Sequence, residues 1–139
     1  MFLLDTNVVS ELRKLGDDRA DARVTAWFEQ HSEEVFFISV VTLMELEIGV
    51  MRIERRDSEQ GALLRNWMEK HVRPAFSGRI LEIDEAVAVR CARLHVPNPC
   101  AERDALIAAT ALIHGLPLVT RNTPDFELTG VALVNPWQA

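Results

Sequence analysis

The sequence predicts an α/β domain in which a short parallel sheet is covered by helices on both faces. Short apolar segments alternate with longer segments of helical periodicity, an order that is typical of parallel sheets. Strands buried on both faces are apolar throughout, as these short segments are. The length of 139 residues fits one domain covering residues 1–139, and no repeat, low-complexity tract or linker divides the chain.

The N-terminal segment predicts one strand followed by one helix. Residues 2–5, with the sequence FLLD, form a short apolar strand that ends at an acid. Thr6 or Asn7 is expected to cap a helix that continues to about Lys14. The segment Gly16-Asp17-Asp18 is then expected to break the chain.

The next segments predict a helix, a strand and a second helix. Val24, Trp27 and Phe28 follow a helical spacing that predicts a helix over residues 21–31. The sequence VFFIS at residues 35–39 is rich in aromatic and β-branched residues and predicts a strand. A helix over residues 41–55 is predicted from an apolar stripe. The stripe consists of Val41, Met44, Ile48 and Met51.

A further helix, strand and helix are predicted in the middle of the chain. The helix contains Leu63, Leu64, Trp67 and Met68, and it is expected to end before Pro74 because proline disrupts helix interiors. The sequence RILEI at residues 79–83 predicts a strand. Asp84 is expected to cap a helix that presents Val87, Cys91 and Leu94 on one face.

The C-terminal segment completes the predicted sheet. An alanine-rich helix over residues 103–114 is closed by Gly115. Residues 118–120 predict a strand, residues 121–126 a loop, and residues 131–134 a last strand. The whole chain therefore places five strands among helices, as an α/β fold requires.

The net charge of −6 excludes a simple nucleic-acid-coating protein, because an acidic surface gives no general attraction to phosphates. A nuclease remains compatible with this charge if its acids surround metal ions. No apolar run reaches the ~20 residues that a membrane span needs. The start of the sequence lacks the basic segment and long apolar core of a signal peptide, so a cytoplasmic protein is expected.

The two cysteines do not predict a disulfide or a zinc site. Cys91, His95 and Cys100 would offer three ligands, whereas structural zinc takes four. Buried or unreactive thiols are the favoured interpretation.

Four acids stand at positions that a solvated surface does not explain. Asp5 ends the first strand and Asp125 follows the fourth, and ligands of open α/β sheets bind beyond the carboxyl ends of the strands. Asp104 lies at the end of the apolar stripe of its helix, and Glu45 lies at the margin of another. Both also have an ordinary interpretation. Asp104 would be an acid favoured by a helix N-terminus, and Glu45 would be a hydrogen-bonded side chain.

Four clustered acids suggest a metal site. Carboxylates a few ångströms apart repel each other, and divalent cations remove that repulsion. Mg²⁺ prefers carboxylate oxygen and water, and no histidine or cysteine stands at these positions to favour a softer metal. Such a site suits phosphodiester hydrolysis, in which the metal prepares a hydroxide and stabilises the leaving oxygen.

Five segments in this order and spacing resemble the PIN-domain ribonucleases, in particular the toxin subunits of VapBC and FitAB toxin–antitoxin pairs. The segments are Leu4-Asp5-Thr6-Asn7, Ser39…Thr42…Glu45…Gly49, Asp104…Ile107-Ala108-Ala109…Ala111, Thr120-Arg121-Asn122…Asp125-Phe126 and Asn135-Pro136-Trp137. The resemblance covers essentially the whole chain. It implies a three-layer PIN-like fold with a short, mainly parallel central sheet flanked by helices.

The resemblance also implies the function and the partners. Such toxins are Mg²⁺- or Mn²⁺-dependent RNA endonucleases and are usually homodimers. A small antitoxin inhibits each of them and binds operator DNA, so operator DNA is expected only through the antitoxin complex. RNA is the expected substrate, and no membrane is involved.

Carried over by position, Asp5, Glu45 and Asp104 would form the acidic core of the site. Many members of the family have an aspartate directly after Thr-Arg, where this sequence has Asn122. Either Asn122 or Asp125 would then complete the set of metal ligands. Thr6 and Thr120 would be supporting hydroxyl groups, or simply a helix cap and a strand-end residue.

Two other functions compete with this interpretation. A catalytically inactive PIN-like protein would bind a partner and regulate transcription without cutting RNA. A phosphorylated receiver domain is also a small Mg²⁺-binding α/β protein, but it needs paired acids near the first strand and a lysine after a late strand. Asp5 has no adjacent acid, and neither Lys14 nor Lys70 stands where that lysine is needed.

Overall fold

A computed structural model describes residues 1–14 and 19–139, and it confirms the predicted α/β class with a parallel sheet flanked by helices. The predicted break at Gly16-Asp17-Asp18 lies outside the described residues. Five parallel strands pair in the order β3-β2-β1-β4-β5. The strands are β1 (Phe2–Leu4), β2 (Phe36–Ser39), β3 (Ile80–Leu81), β4 (Leu118–Val119) and β5 (Leu133–Val134).

The helices occur in the predicted order between the strands. They are α1 (Thr6–Leu12), α2 (Ala22–Glu29), α3 (Val40–Arg56), α4 (Ser58–Trp67), α5 (Arg73–Ala75), α6 (Glu85–Leu94) and α7 (Glu102–His114). Short 3₁₀ helices cover Glu33–Val35, Thr123–Thr129 and Pro136–Gln138, and a π-helix covers Met68–Val72. Within residues 1–14 and 19–139, no helix is long and apolar enough to cross a membrane.

The central strands bury side chains on both faces of the sheet, which creates the three layers. In β1, Leu4 packs into a core with α1, α2 and α3, whereas its neighbour Leu3 packs into a second core with α7. Val119 and Leu118 divide between the same two cores in β4. All four side chains are fully buried. The alternation of side chains along a strand therefore explains why both faces must be covered.

The N-terminal cap of α1 differs from the prediction. Asp5 is the capping residue, and its Oδ1 accepts a hydrogen bond of 2.8 Å from Thr6 N. An aspartate that directly precedes the first helical residue is a favoured cap, so neither Thr6 nor Asn7 is needed for this role. The hydroxyl of Thr6 and the amide of Asn7 are consequently available for contacts with other elements.

The buried face of α3 also differs from the prediction. Of the predicted stripe, Val41 is buried and Ile48 is partly buried, whereas Met44 and Met51 are 42% and 55% exposed. The other buried side chains of α3 are Thr42, Leu46 and Val50. The helix carries two overlapping apolar stripes, and hydrophobicity alone does not show which of them faces the sheet. Contacts with β1, β2 and α4 select the stripe that contains Leu46 and Val50.

The helix before β3 continues past the predicted stop. The π-helix leads from α4 into the short α5, so Pro74 lies inside a helical segment. Pro74 occupies the start of α5, where a missing N–H costs least. Leu63 was placed in the predicted apolar stripe but is 62% exposed. The strand that follows has two residues rather than the predicted five.

Candidate functional site

Asp5 is the centre of a hydrogen-bonded network at the carboxyl end of β1. Its carboxylate is 6% exposed and caps α1 through Oδ1. Its Oδ2 accepts hydrogen bonds from Thr120 Oγ1 at 2.8 Å and Asn7 Nδ2 at 3.2 Å. Burial raises the pKa of Asp5, as does the charge of Glu45, whereas the hydrogen bonds from Thr120, Thr6 and Asn7 lower it. Burial prevails, and the net shift is upward.

Glu45 joins this network through the hydroxyl of Thr6. Thr6 Oγ1 lies 2.6 Å from Glu45 Oε1 and 3.2 Å from Thr42 Oγ1. Glu45 is half-buried on the second turn of α3, a helix that begins directly after β2 with Ser39 as its cap. Thr6 therefore links the two acids, because its N–H donates to Asp5 and its hydroxyl donates to Glu45.

Asp104 lies in the first turn of α7, within electrostatic range of the other three acids. Burial raises the pKa of Asp104, and the charges of Asp5, Asp125 and Glu45 raise it further. No hydrogen bond from the described residues reaches the Asp104 carboxylate. Its charge is therefore opposed by burial and by like charges, and it is favoured by the N-terminus of α7.

Asp125 and Asn122 are both exposed, in the loop that follows β4. Asp125 stands in the first turn of the 3₁₀ helix Thr123–Thr129, and its N–H donates to Asn122 O at 3.1 Å. Asn122 N donates to Thr120 Oγ1 at 3.0 Å. The loop is thus connected to Asp5 through the buried Thr120, while the side chains of both candidate ligands remain accessible to solvent.

Three residues were not identified as site residues from the sequence. Asn7 donates to Asp5 and also accepts a hydrogen bond of 3.1 Å from Arg121 N, so it joins α1 to the loop after β4. Thr42 is fully buried beside Thr6. Arg103 Nη1 lies 3.7 Å from Glu45 Oε2. Asn7 and Thr42 belong to the segments that carry the family resemblance, whereas no pattern in the sequence singles out Arg103.

The donor chemistry of these side chains fits a hard divalent cation. The four acids and their neighbours offer carboxylate, hydroxyl and amide oxygens. In the described residues, no three or more His, Cys, Asp or Glu side chains are arranged so that they could hold a metal ion together. Mg²⁺ usually binds one or two carboxylates directly and keeps several waters, so a set of acids around a shared space suits it. Metal binding by these residues stays a prediction.

Two acids outside the predicted site have a structural role. Arg65 of α4 forms ion pairs with Glu47 at 2.8 Å and with Glu54 at 3.0 Å. Glu47 is only 20% exposed, so it is less accessible than the 25% exposed Glu45. A nearby arginine on another helix explains this burial, and sequence spacing along α3 does not reveal it.

The described residues also contain two cysteines and a groove. Cys91 is buried, Cys100 is exposed, and both thiols are free. The groove, of about 640 Å³, is lined by apolar and polar side chains, mainly from α1, α2 and the segment from α4 to α5. None of the seven predicted site residues lines it. The acids therefore form a separate, polar surface at the carboxyl end of the sheet.

Comparisons with known proteins agree with this architecture. The family profile described as "PIN domain" matches residues 2–130. The chain is 35% identical to "VapC ribonuclease Y4jK" from Sinorhizobium fredii over 143 aligned residues, with 99% of each chain covered. It is 36% identical to "Toxin FitB" from Neisseria gonorrhoeae over 142 aligned residues, again with 99% of each chain covered.

Solved structures show the same likeness in three dimensions. The structure of FitAcB from Neisseria gonorrhoeae matches with a TM-score of 0.89 and 35% identity, and all of both chains is covered. The structure of FitAB bound to an IR36 DNA fragment matches with a TM-score of 0.88 and 35% identity, covering 99% of this chain and 96% of the other. The chain therefore belongs to the PIN-domain family.

Proposed function

We propose that this protein is the toxin of a toxin–antitoxin pair and that it cleaves RNA in a reaction that depends on Mg²⁺ or Mn²⁺. The observation that carries the proposal is the environment of Asp104. Its pKa is raised by burial and by the charges of Asp5, Asp125 and Glu45. Carboxylates that repel each other in this way are suited to a cation, and the relatives named VapC are ribonucleases.

The carboxylates of Asp5 and Asp104 would hold the cation, with Glu45 and Asp125 contributing directly or through water. The bound cation would supply a hydroxide nucleophile and neutralise charge on the phosphodiester and the leaving oxygen. Thr120 and Asn7 hold Asp5 Oδ2 in place by hydrogen bonds. Thr6 orients Glu45, because Asp5 holds the N–H of Thr6 while the hydroxyl of Thr6 donates to Glu45.

The partners follow from the relatives. The similar solved structures are FitAcB from Neisseria gonorrhoeae and FitAB bound to an IR36 DNA fragment. We propose a small antitoxin as the partner of this chain, with operator DNA bound through that complex. The antitoxin is expected to place a cationic side chain near the acids, because opposite charge is complementary there. A homodimer is expected for the toxin.

Metal-dependent cleavage of a structured RNA tests the enzymatic part of this proposal. Cleavage is expected with Mg²⁺ or Mn²⁺, should stop when EDTA is added, and should return when the cation is restored in excess. Asp104→Asn is the matched control, because it keeps the volume of the side chain and removes its charge. A folded wild-type protein that cuts no RNA with either cation would contradict the enzymatic part. It would favour the alternative of a catalytically inactive protein that binds a partner.

The genetic neighbourhood tests the toxin part. A reading frame for a small protein should lie beside this gene, and co-expression of the two should abolish both RNA cleavage and growth inhibition. Growth inhibition that persists when the partner is co-expressed would contradict the assignment of that protein as antitoxin.

A further inference from the structure

Arg103 forms an ion pair with Glu45, one of the acids of the candidate site. Among the ion pairs of residues 1–14 and 19–139, the pair of Arg103 Nη1 with Glu45 Oε2 is the one that involves a predicted site acid. Arg103 precedes Asp104 in the first turn of α7, and its side chain is 53% exposed. Arg121, the other arginine near the site, has its guanidinium 5.3 Å from the centre of the Trp137 ring instead.

This pair leaves Glu45 with both carboxylate oxygens engaged. Oε1 accepts the hydroxyl of Thr6 at 2.6 Å, and Oε2 lies 3.7 Å from Arg103. A divalent cation that binds beside Glu45 brings two positive charges close to the guanidinium, so binding of the cation and the Arg103–Glu45 pair oppose each other. The ion pair is also weak, because its N–O distance is longer than that of a hydrogen bond and the arginine side chain is 53% exposed.

We propose that Arg103 pairs with Glu45 only until a divalent cation binds, and that the released guanidinium then binds a phosphate of the RNA strand. This inference rests on the proposed function. The chain has a net charge of −6, so a phosphate that approaches the acids needs local positive charge. A guanidinium offers a planar set of donors that matches phosphate, and the exposed position of Arg103 lets it reach a strand that lies over the site.

The inference predicts opposite effects of one substitution on two ligands. Arg103→Gln should bind Mn²⁺ in the absence of RNA roughly fivefold to tenfold more tightly than the wild type, because a competing positive charge is removed. The same variant should bind RNA roughly tenfold more weakly when the site carries a cation. For the variant, the plot of log K for RNA binding against log salt concentration should be less steep by about 0.7. This is the slope that one phosphate contact contributes on a single strand.

Mn²⁺ binding is measured by isothermal titration calorimetry, and RNA binding by fluorescence anisotropy with the structured RNA that the wild type cleaves. Ca²⁺ replaces Mg²⁺ in the anisotropy experiment, and a gel verifies that the RNA stays intact. Arg56→Gln is the matched control, since Arg56 is exposed at the end of α3, eleven residues or ~16 Å beyond Glu45. Circular dichroism confirms that all variants are folded.

The inference is supported if Arg103→Gln tightens Mn²⁺ binding and weakens RNA binding only with the cation present, while Arg56→Gln does neither. Unchanged or weaker Mn²⁺ binding would overturn it, as would an equal loss of RNA affinity with Ca²⁺ and with EDTA. A wild-type protein that binds no Mn²⁺ and cuts no RNA would instead contradict the proposed function itself.

Discussion

The carboxylate of Asp5 has a structural role, and it is also a predicted metal ligand. Oδ1 caps α1, and Oδ2 is held by Thr120 and Asn7. The side chain is therefore fixed before any ligand arrives, which is the condition for a strong metal ligand. Asp104 is fixed by its position at the start of a regular helix, whereas Asp125 is exposed in the loop after β4.

This difference predicts an order of importance among the acids. Asp5→Asn and Asp104→Asn should each lower metal-dependent RNA cleavage by at least ~100-fold, since even residues that only orient metal ligands contribute 10- to 100-fold. Asp125→Asn should lower it by about tenfold, because that side chain can act through water. Asn122→Asp should tighten metal binding by adding a charge. Near wild-type activity of Asp5→Asn would contradict the metallonuclease mechanism, whereas complete inactivity of Asp125→Asn would contradict only the order.

The raised pKa of Asp104 predicts how the stability of the metal-free protein depends on pH. A raised pKa means that the group favours the folded state at low pH, and that this contribution is lost as the pH rises through the folded-state pKa. Asp104→Asn should therefore be more stable than the wild type at neutral pH in EDTA, and the two should converge as the pH falls below the ordinary pKa of an aspartate.

Thermal unfolding with and without Mg²⁺ measures this effect. A cation at 100 times its Kd should stabilise the wild type by ~2.7 kcal/mol and Asp104→Asn by much less. Equal stability of the two proteins in EDTA at all pH values would contradict the proposed electrostatic strain at Asp104.

At the scale of secondary-structure elements, α3 and α4 pack closely against each other. Asp57 caps α4 by accepting hydrogen bonds from Glu59 N and Gln60 N. Gly61 then lets α4 approach α3, because a Cβ atom at Gly61 would lie 2.4 Å from Glu54 Cα. Arg65 joins the two helices further along through its ion pairs with Glu47 and Glu54.

The two helical glycines predict opposite effects of alanine. Gly61→Ala should destabilise the protein by about 1–3 kcal/mol, because backbone atoms of α3 must shift to admit the methyl group. Gly49→Ala should stabilise it by about 0.5–1 kcal/mol, because a Cβ at that exposed position of α3 meets no atom within 4 Å. Urea unfolding measures both changes. A stabilised Gly61→Ala variant would show that α3 and α4 are less closely packed than described.

At the scale of the whole molecule, five of the largest apolar side chains share one core. Trp27, Met68 and Phe76 are buried, and Phe28 and Trp67 are partly buried against the same cluster. The space between α2, α3 and the π-helix accommodates all five, so none of them is left over for an interface between two copies. Other large apolar side chains are exposed instead, among them Met51, Leu63 and Leu128.

The homodimer stays a prediction. Exposed apolar surface favours association, and α3 and α4 present Met51 and Leu63 at 55% and 62% exposure. Light scattering of the purified protein at micromolar concentration should give twice the chain mass of 15.7 kDa. A mass of one chain at every concentration would contradict the dimer.

The sequence by itself determined the α/β class, the order of strands and helices, and the placement of Asp5 and Asp125 beyond strand ends. These features depend on local apolar spacing, which a sequence displays directly. It also carried the resemblance to PIN-domain toxins, which the family match and the relatives confirm. The cap Asp84 and the helix end at Gly115 were predicted correctly because capping acts within four residues. The cap of α1 was misplaced by one or two residues, since it is Asp5 rather than Thr6 or Asn7.

Only the tertiary structure decided which stripe of α3 is buried, which surface acids are paired, and which residues surround the site. Thr120 contacts Asp5 across 115 residues of sequence, and Arg103 reaches Glu45 across 58. Such contacts depend on how the layers pack, because sequence spacing fixes the direction of a side chain only relative to its own helix or strand. The acids could be predicted one by one, whereas their shared hydrogen bonds and their repulsion arise when β1, α3, α7 and the loop after β4 meet at one edge of the sheet.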